Sequence, residues 1–288
     1  MRTLGGFGIW SPWLRFGDDR EVRSSVAELD DLGFSAVWIP GVAGGDDLFP
    51  AVRRLLDSST RIVVATGVLN IWSHPADQVM TECAALADDH PDRFLLGLGV
   101  SHEALVPGRY ERPLDAMRRY LDSLDRSEAT TVERRCLAAL GPKMLELAST
   151  RASGAHPYNV SPAHTRWARE ILGEHALLAP EHAAVLLPDA GAARAVARKR
   201  LEDYLGRLPN YDRNLRRLGY STEDLSDGGS DRLVDDLVAW GDDDAVARRL
   251  GEHRAAGADH VCVQVLGVEG DELSVAWRRL ANLLELSS

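Results

Sequence analysis

Cysteine is scarce in this chain. Its 288 residues hold three, Cys83, Cys136 and Cys262, far apart and odd in number, which excludes a disulfide framework and a thiolate zinc site. Lysine is scarcer. Lys143 and Lys199 are the only two, so a Schiff-base role falls to Lys143 alone, just past the fifth predicted strand. Basic residues are outnumbered by acidic ones, 33 against 44, for a net charge of -11. That balance argues against nucleic acid or anionic membranes as partners. No apolar run is long enough to cross a bilayer and no secretory pattern opens the chain, so a cytoplasmic protein without a membrane partner is expected. The sequon Asn159-Val160-Ser161 then reads as accidental. HExxH, P-loop and GxSxG motifs are absent, no His, Asp and Glu cluster at successive strand ends, and no metal is expected.

What is present is alternation. Strand-like runs at 3–10, 34–40, 61–70, 93–102, 135–140, 154–158, 182–188 and 259–267 are each followed by a segment of helical spacing. The run "RIVVATGVLN" (61–70) is apolar throughout, as a strand buried on both faces requires. Eight strand-then-helix units predict an α/β fold, a single (β/α)8 TIM barrel covering 1–288. The helix of the seventh unit is placed at 189–208, and a helical extension of that unit at 208–241.

In such barrels chemistry lies at the carboxyl ends of the strands. The candidates there are Trp10, Gly41, Gly67 to Trp72, Gly99 to Glu103, Ser153 to Tyr158 and Gly267. Glycines and aromatics outnumber charges, which suits a flat ring approached closely by backbone. Gly97 and Gly99 in "LGLGVS" resemble half a dinucleotide fingerprint, but the third glycine and the helix phase are wrong. His74 and His90 sit at helix ends and read as structural. The run Asp242-Asp243-Asp244 reads as a helix start rather than a metal site.

The stretch "SGAHPYNVSP" (153–162) reads both as a short sixth strand and as a turn after the helix "LGPKMLELASTRA". As a turn, it sets the His156 imidazole and the Tyr158 phenol beside a glycine that lets the backbone come close to a partner.

The strings "TGVLNIWSHPADQVMTECAALADD", "HPDRFLLGLGVSH", "LGPKMLELAS", "GAHPYNVSPAHT", "LPNYDRNLRRLGY" and "HRAAGADHVCVQVL" resemble the bacterial luciferase-like superfamily, and within it the coenzyme F-420-dependent oxidoreductases. The resemblance implies a deazaflavin cofactor, coenzyme F-420, with FMN as the alternative, and a small organic substrate. It also implies a homodimer. It places a non-proline cis peptide at Gly67-Val68, backing the cofactor's ring, with Asn70 nearby. Val100 and Ser101 would line the cofactor, His102 would face the reacting carbon as the catalytic group, and Ser153, Gly154, Ala155, His156 and Tyr158 would hold the ribityl and phosphate part. The Asp-His pair that sugar-phosphate dehydrogenases of the superfamily carry after the second strand is replaced here by Pro40-Gly41-Val42. Hydride transfer to a small molecule is thus the leading function. An FMN-dependent monooxygenase and a non-catalytic ligand-binding barrel are the alternatives. Substrate selectivity is expected in 41–47, 102–112 and 208–232.

Overall fold

The computed structural model describes residues 4–42, 47–106, 108 and 110–286. Eight strands run parallel: Phe7–Trp10, Ala36–Ile39, Val63–Thr66, Phe94–Gly99, Arg135–Leu137, Gly154–Ala155, the pair Leu177–Leu178 and Glu181–Val185, and Val261–Val265. Each pairs with the next in chain order, and the eighth returns to the first through Gly8 opposite Cys262.

The ring closes through the seventh strand. Its first piece pairs with the sixth, Ala155 opposite Leu178, and its second pairs with the eighth, His182 opposite Val263. Pro180 has no N–H to give to a ladder, and the strand is interrupted there. Its carbonyl still accepts from Cys262 N at 2.9 Å, so the wall stays continuous. The expected barrel is present.

Alternate residues point inward. Trp10, Ala36, Trp38, Val63, Ala65, Leu95, Cys136, Ala179 and Cys262 pack the barrel interior. Trp38 is fully buried and lies flat on His156, ring centroids 4.2 Å apart. Its indole N–H donates to His260 Nε2 (3.1 Å), whose Nδ1–H donates to Gly5 O (2.6 Å). A large ring and two small polar rings fill a volume that aliphatic layers occupy in many barrels.

Helices cover the outside, and several start on acidic or hydroxyl caps that satisfy N–H groups without helical partners. Asp18 accepts from Arg20 N and Glu21 N, Ser161 from His164 N, and Asp242 from Ala245 N. The Asp242–Asp244 run is therefore a helix cap and first turn.

The seventh unit departs from expectation. The strand lies at 177–185 rather than 182–188. Helix Ala190–Leu201 is not the barrel helix of this unit; it packs against Asp231–Leu237 and the added strand Val238–Trp240. The barrel helix is Asp243–Ala255, which packs against Pro162–Leu172, Asp271–Leu283 and the eighth strand. The insert thus spans 186–242 instead of 208–241. It has its own core, in which Ala193, Ala197, Leu201, Leu215, Leu233 and Val234 close over Ala183 and Val185 of the seventh strand. Helical periodicity is the same whichever surface buries it, so spacing did not distinguish the two helices. Among the described residues no helix is long and apolar enough to cross a membrane.

Candidate functional site

The third strand breaks at its carboxyl end. Val63–Thr66 pairs with Phe94 and Leu95, and Leu69–Asn70 resumes against Leu98 and Gly99. Between them the Gly67–Val68 peptide is cis, where the resemblance placed it. Three glycines make room for this bulge. A Cβ on Gly97 would lie 1.8 Å from Thr66 O, one on Gly99 2.5 Å from Val68 Cγ2, and one on Gly41 2.3 Å from Val68 O. Gly97 and Gly99 are therefore the imprint of the bulge, not part of a dinucleotide fingerprint. Thr66 Oγ1 fills the interrupted ladder, donating to Gly97 O (2.7 Å) and accepting from Gly97 N (2.8 Å). Trp10 Nε1 donates to Gly67 O at 3.1 Å.

Asn70 follows the bulge. Its Oδ1 accepts from Trp72 N at 3.1 Å, while its Nδ2 is buried without a partner in the protein. A buried amide donor left open costs free energy unless something else accepts from it. Trp72 donates to Val100 O at 2.6 Å, tying the ends of the third and fourth strands together. Ser101 turns with a left-handed φ of 56° and His102 follows, half-buried. Burial lowers the His102 pKa, so its imidazole is neutral at neutral pH. Its Nδ1 lies 3.5 Å from Asn210 Nδ2, and its ring centroid 5.6 Å from that of Tyr211. Both partners come from the insert, which reaches from the seventh strand to the end of the fourth.

Of the two readings of the segment 153–158, the strand holds and the turn does not. Gly154 and Ala155 are the sixth barrel strand, paired on both sides, and a Cβ on Gly154 would lie 1.9 Å from Leu177 O. The glycine serves wall packing rather than the close approach of an anion. Ser153 Oγ donates to Arg135 O at 2.8 Å, at the strand's amino end. His156 is buried inside the barrel, its Nδ1–H donating to Ala179 O at 2.7 Å; burial pushes its pKa down to about 4. Ser153, Gly154 and Ala155 are held in the wall, whereas His156 Nε2 lies against the bulge, 3.0 Å from where a Cβ on Gly67 would be, and is buried without a partner in the protein. Tyr158 stands beyond them.

Around Tyr158 stands a cluster that sequence reading missed apart from Trp10. Tyr158 packs on Trp10 with centroids 5.0 Å apart, its hydroxyl donates to Gln264 Oε1 at 2.7 Å, and Arg200 donates to that hydroxyl. Below lies Glu181, 1% exposed, whose Oε2 accepts from Asn159 N at 2.8 Å. Asn159 has a left-handed φ of 55°, so this bond fixes the turn that aims Tyr158. Burial pushes the Glu181 carboxyl up to about 7, against the pull of Arg200. The phenol of Tyr158 is raised well above its usual value by burial and by Glu181. Only the inward alternation of the seventh and eighth strands could have hinted at Glu181 and Gln264. Nothing local marks Arg200.

Beside the cluster a cavity of about 530 Å³ opens between the ends of the first and eighth strands, lined by Trp10, Trp13, Gln264, Val268 and Trp277 among others. On the opposite side Ala138 lies next to Val68 across Gly99. Three residues on, helix Pro142–Arg151 begins at Gly141 with no side-chain cap; Pro142 has no N–H and Met144 N donates to Gly141 O at 3.2 Å, so the Lys143 N–H is the first-turn donor left for an anion. Residues 43–46, 107 and 109, within two of the expected selectivity segments, lie outside the described residues. His90 Nε2 meets Asp57 at 3.0 Å, a structural contact; His74 Nδ1 meets Asn70 O at 3.0 Å, while its Nε2, like Asn70 Nδ2, is buried without a partner in the protein. Among the described residues no group of three His, Cys, Asp or Glu could hold a metal.

No protein-family profile matches the chain. A curated protein of Mycobacterium tuberculosis, named "Putative coenzyme F420-dependent oxidoreductase", is 26% identical, the match covering 83% of this chain and 88% of that one. A coenzyme F420-dependent tetrahydromethanopterin reductase from Methanopyrus kandleri has a similar structure, with TM-score 0.79 at 17% identity over 98% of this chain and 99% of that one. An F420-dependent secondary alcohol dehydrogenase, solved with an F420-acetone adduct, gives TM-score 0.74 at 12% identity with the same coverage. The oxygenating constituent of a Pseudomonas putida diketocamphane monooxygenase, solved with FMN, gives 0.69 at 14% identity over 97% and 96%. The resemblance to the luciferase-like oxidoreductases is thus matched by a similar sequence and by similar folds.

Proposed function

We propose that this luciferase-like chain is an oxidoreductase that moves a hydride between a deazaflavin of the coenzyme F-420 type and a small organic substrate. The observation that carries the reading is the Gly67–Val68 bulge, set by Gly41, Gly97 and Gly99 at the carboxyl rim beside the unpartnered Asn70 amide. A raised apolar shelf with an open buried donor at its edge fits a flat ring that carries peripheral oxygen and nitrogen acceptors. The F420-dependent relatives in sequence and fold favour the deazaflavin.

In this reading Gly67, Val68, Val100 and Ser101 support the ring, and Asn70 donates to its edge. The anion site sought at Gly154 and Ala155 moves to the uncapped helix start at Gly141 and Lys143. Tyr158 lines the mouth on the side of Trp10 and Gln264. The cofactor, when bound, supplies the hydride chemistry, and the protein supplies orientation and electrostatics. His102, neutral and half-buried, keeps a lone pair or an N–H for a proton at the substrate's reacting atom.

Anaerobic equilibrium titration of the full chain with coenzyme F-420 and with FMN tests this. Tight deazaflavin binding, weakened about tenfold in Asn70→Ala by loss of one buried hydrogen bond, is expected. The FMN-bound monooxygenase of similar fold supplies the second reading, and tight FMN binding with little deazaflavin affinity would move the assignment there.

A further inference from the structure

We propose that Arg200 is an anion receptor in the barrel mouth, taking a carboxylate or phosphate carried by the ligand. The inference concerns the site read above but does not depend on the identity of the cofactor.

Arg200 lies in the last turn of helix Ala190–Leu201. Two other arginines of that helix are already occupied by acids, Arg194 with Asp231 and Asp235, and Arg198 with Asp231. Arg200 turns the other way, over the barrel. Its guanidinium carbon is 4.4 Å from the centre of the Tyr204 ring and 5.5 Å from that of Tyr158. The guanidinium donates to the hydroxyls of Tyr158 and Tyr204. Neutral phenols hold a guanidinium in place without cancelling its charge, and two acceptors do not use up its N–H donors, which leaves N–H for a planar oxyanion.

Among the described residues no carboxylate forms an ion pair with Arg200. Glu181 lies nearby, but it is buried and already bonded to Asn159 N. Burial keeps its carboxyl partly protonated near pH 7, so it compensates the guanidinium only in part. Acids are not in short supply in a chain with 44 of them against 33 basic residues. A half-buried cation without an acid partner is costly unless a ligand completes it.

The neighbouring amides add donors. Gln264 uses its carbonyl oxygen to accept from Tyr158, and Asn210 uses its own to accept from Arg213. Both therefore turn NH2 groups to their surroundings, and Asn210 Nδ2 already faces the His102 ring. The Arg200 guanidinium and the Gln264 amide meet at the Tyr158 hydroxyl and together offer donors to a bidentate oxyanion, while Asn210 adds a donor beside His102.

Such an anion has two sources, an acidic substrate or the phosphate-bearing tail of a cofactor. The test uses the full chain with four probes: benzoate, benzamide, complete coenzyme F-420, and its phosphate-free deazaflavin riboside. Binding is followed by calorimetry and by tryptophan fluorescence, since Trp10 adjoins Tyr158. A substrate source predicts benzoate binding about tenfold or more tighter than benzamide, with the difference abolished in Arg200→Gln and only partly kept in Arg200→Lys. A cofactor source predicts that Arg200→Gln weakens the complete coenzyme about tenfold and spares the riboside. Should Arg200→Gln not fold, Arg200→Lys and the unaltered chain carry the same comparisons, because lysine keeps the charge and loses the fork. The proposal is overturned if neither the benzoate preference nor coenzyme affinity depends on Arg200. A benzoate preference that depends on Arg200, in a chain that binds no deazaflavin, upholds the receptor and removes the F-420 reading.

Discussion

Trp38 in the barrel and Leu233 in the insert are both fully buried, yet different things hold them. Trp38 is packed between strands that pair around a closed ring, stacked on His156 and hydrogen-bonded to His260. Leu233 belongs to a small second core, where short helices of the 186–242 insert close over one patch of the seventh strand. The barrel interior is over-determined by hydrogen bonds and sterics from all sides. The insert rests on one-sided apolar packing and on arginine–aspartate pairs such as Arg194 with Asp235. Most such pairs are partly exposed and contribute little each. That difference places the adaptable part of the molecule where Arg200, Tyr204, Asn210 and Tyr211 meet the rim.

The sharpest way to break the barrel side is Gly97→Ala. The added Cβ meets Thr66 backbone rather than a movable side chain, so a loss of at least about 3 kcal/mol or failure to fold is expected, read from urea midpoints. The Cβ of Gly99→Ala is too close to the Val68 side chain alone, with Ala138 Cβ at an ordinary 3.5 Å; this variant should keep the fold, shift the bulge and reduce ring binding.

Acid comes next. His156, His164, His182 and His260 are pushed by burial down to about 4, and His253 is pushed well below its usual value. All five stay neutral when folded and take up protons near 6.5 once unfolded. Their contribution is present above about pH 6.5 and is lost as pH falls toward 4. Melting temperatures should therefore drop steeply from pH 7 to pH 5, and a flat profile would contradict the neutral interior.

Leu233→Ala sharpens the contrast from the insert side. Removing a fully buried leucine costs about 2–5 kcal/mol. If the insert is a separate unit, protease cleavage within 202–230 rises while the main melting transition holds. A single transition shifted downward would show that the two cores unfold together.

The smallest effect is expected at Glu181. Its folded pKa of about 7 lies above the usual carboxyl value of 4.5. Relative stability is therefore full below pH 4.5 and lost as pH rises through 7. Glu181→Gln, whose amide oxygen can still accept from Asn159 N, should match the parent at pH 4.5 and melt about 2–4 °C higher at pH 8; equal melting at pH 8 would contradict the raised carboxyl.

Much of the wall was legible. Apolar runs punctuated by glycine, each followed by helical spacing, predicted eight units, and the structure has them. The bulge at Gly67–Val68 followed from a resemblance, and its glycine supports at 41, 97 and 99 were visible only as unexplained glycines. The segment 153–158 kept two readings because a two-residue strand and a turn share the same small and polar letters; the structure has the strand, at Gly154 and Ala155. The boundary of the insert was misplaced because Ala190–Leu201 has the periodicity of any amphipathic helix.

By itself the sequence determined the alternation of strands and helices, the glycine positions and the acidic balance, since these follow from local preferences and from which side chains must leave water. Tertiary structure alone decided that Glu181, Asn159, Tyr158, Arg200 and Gln264 meet, and that His102 faces Tyr211. Those meetings join residues up to about a hundred positions apart through ring closure and the fold-back of the insert, and no spacing along the chain encodes a distance across a barrel.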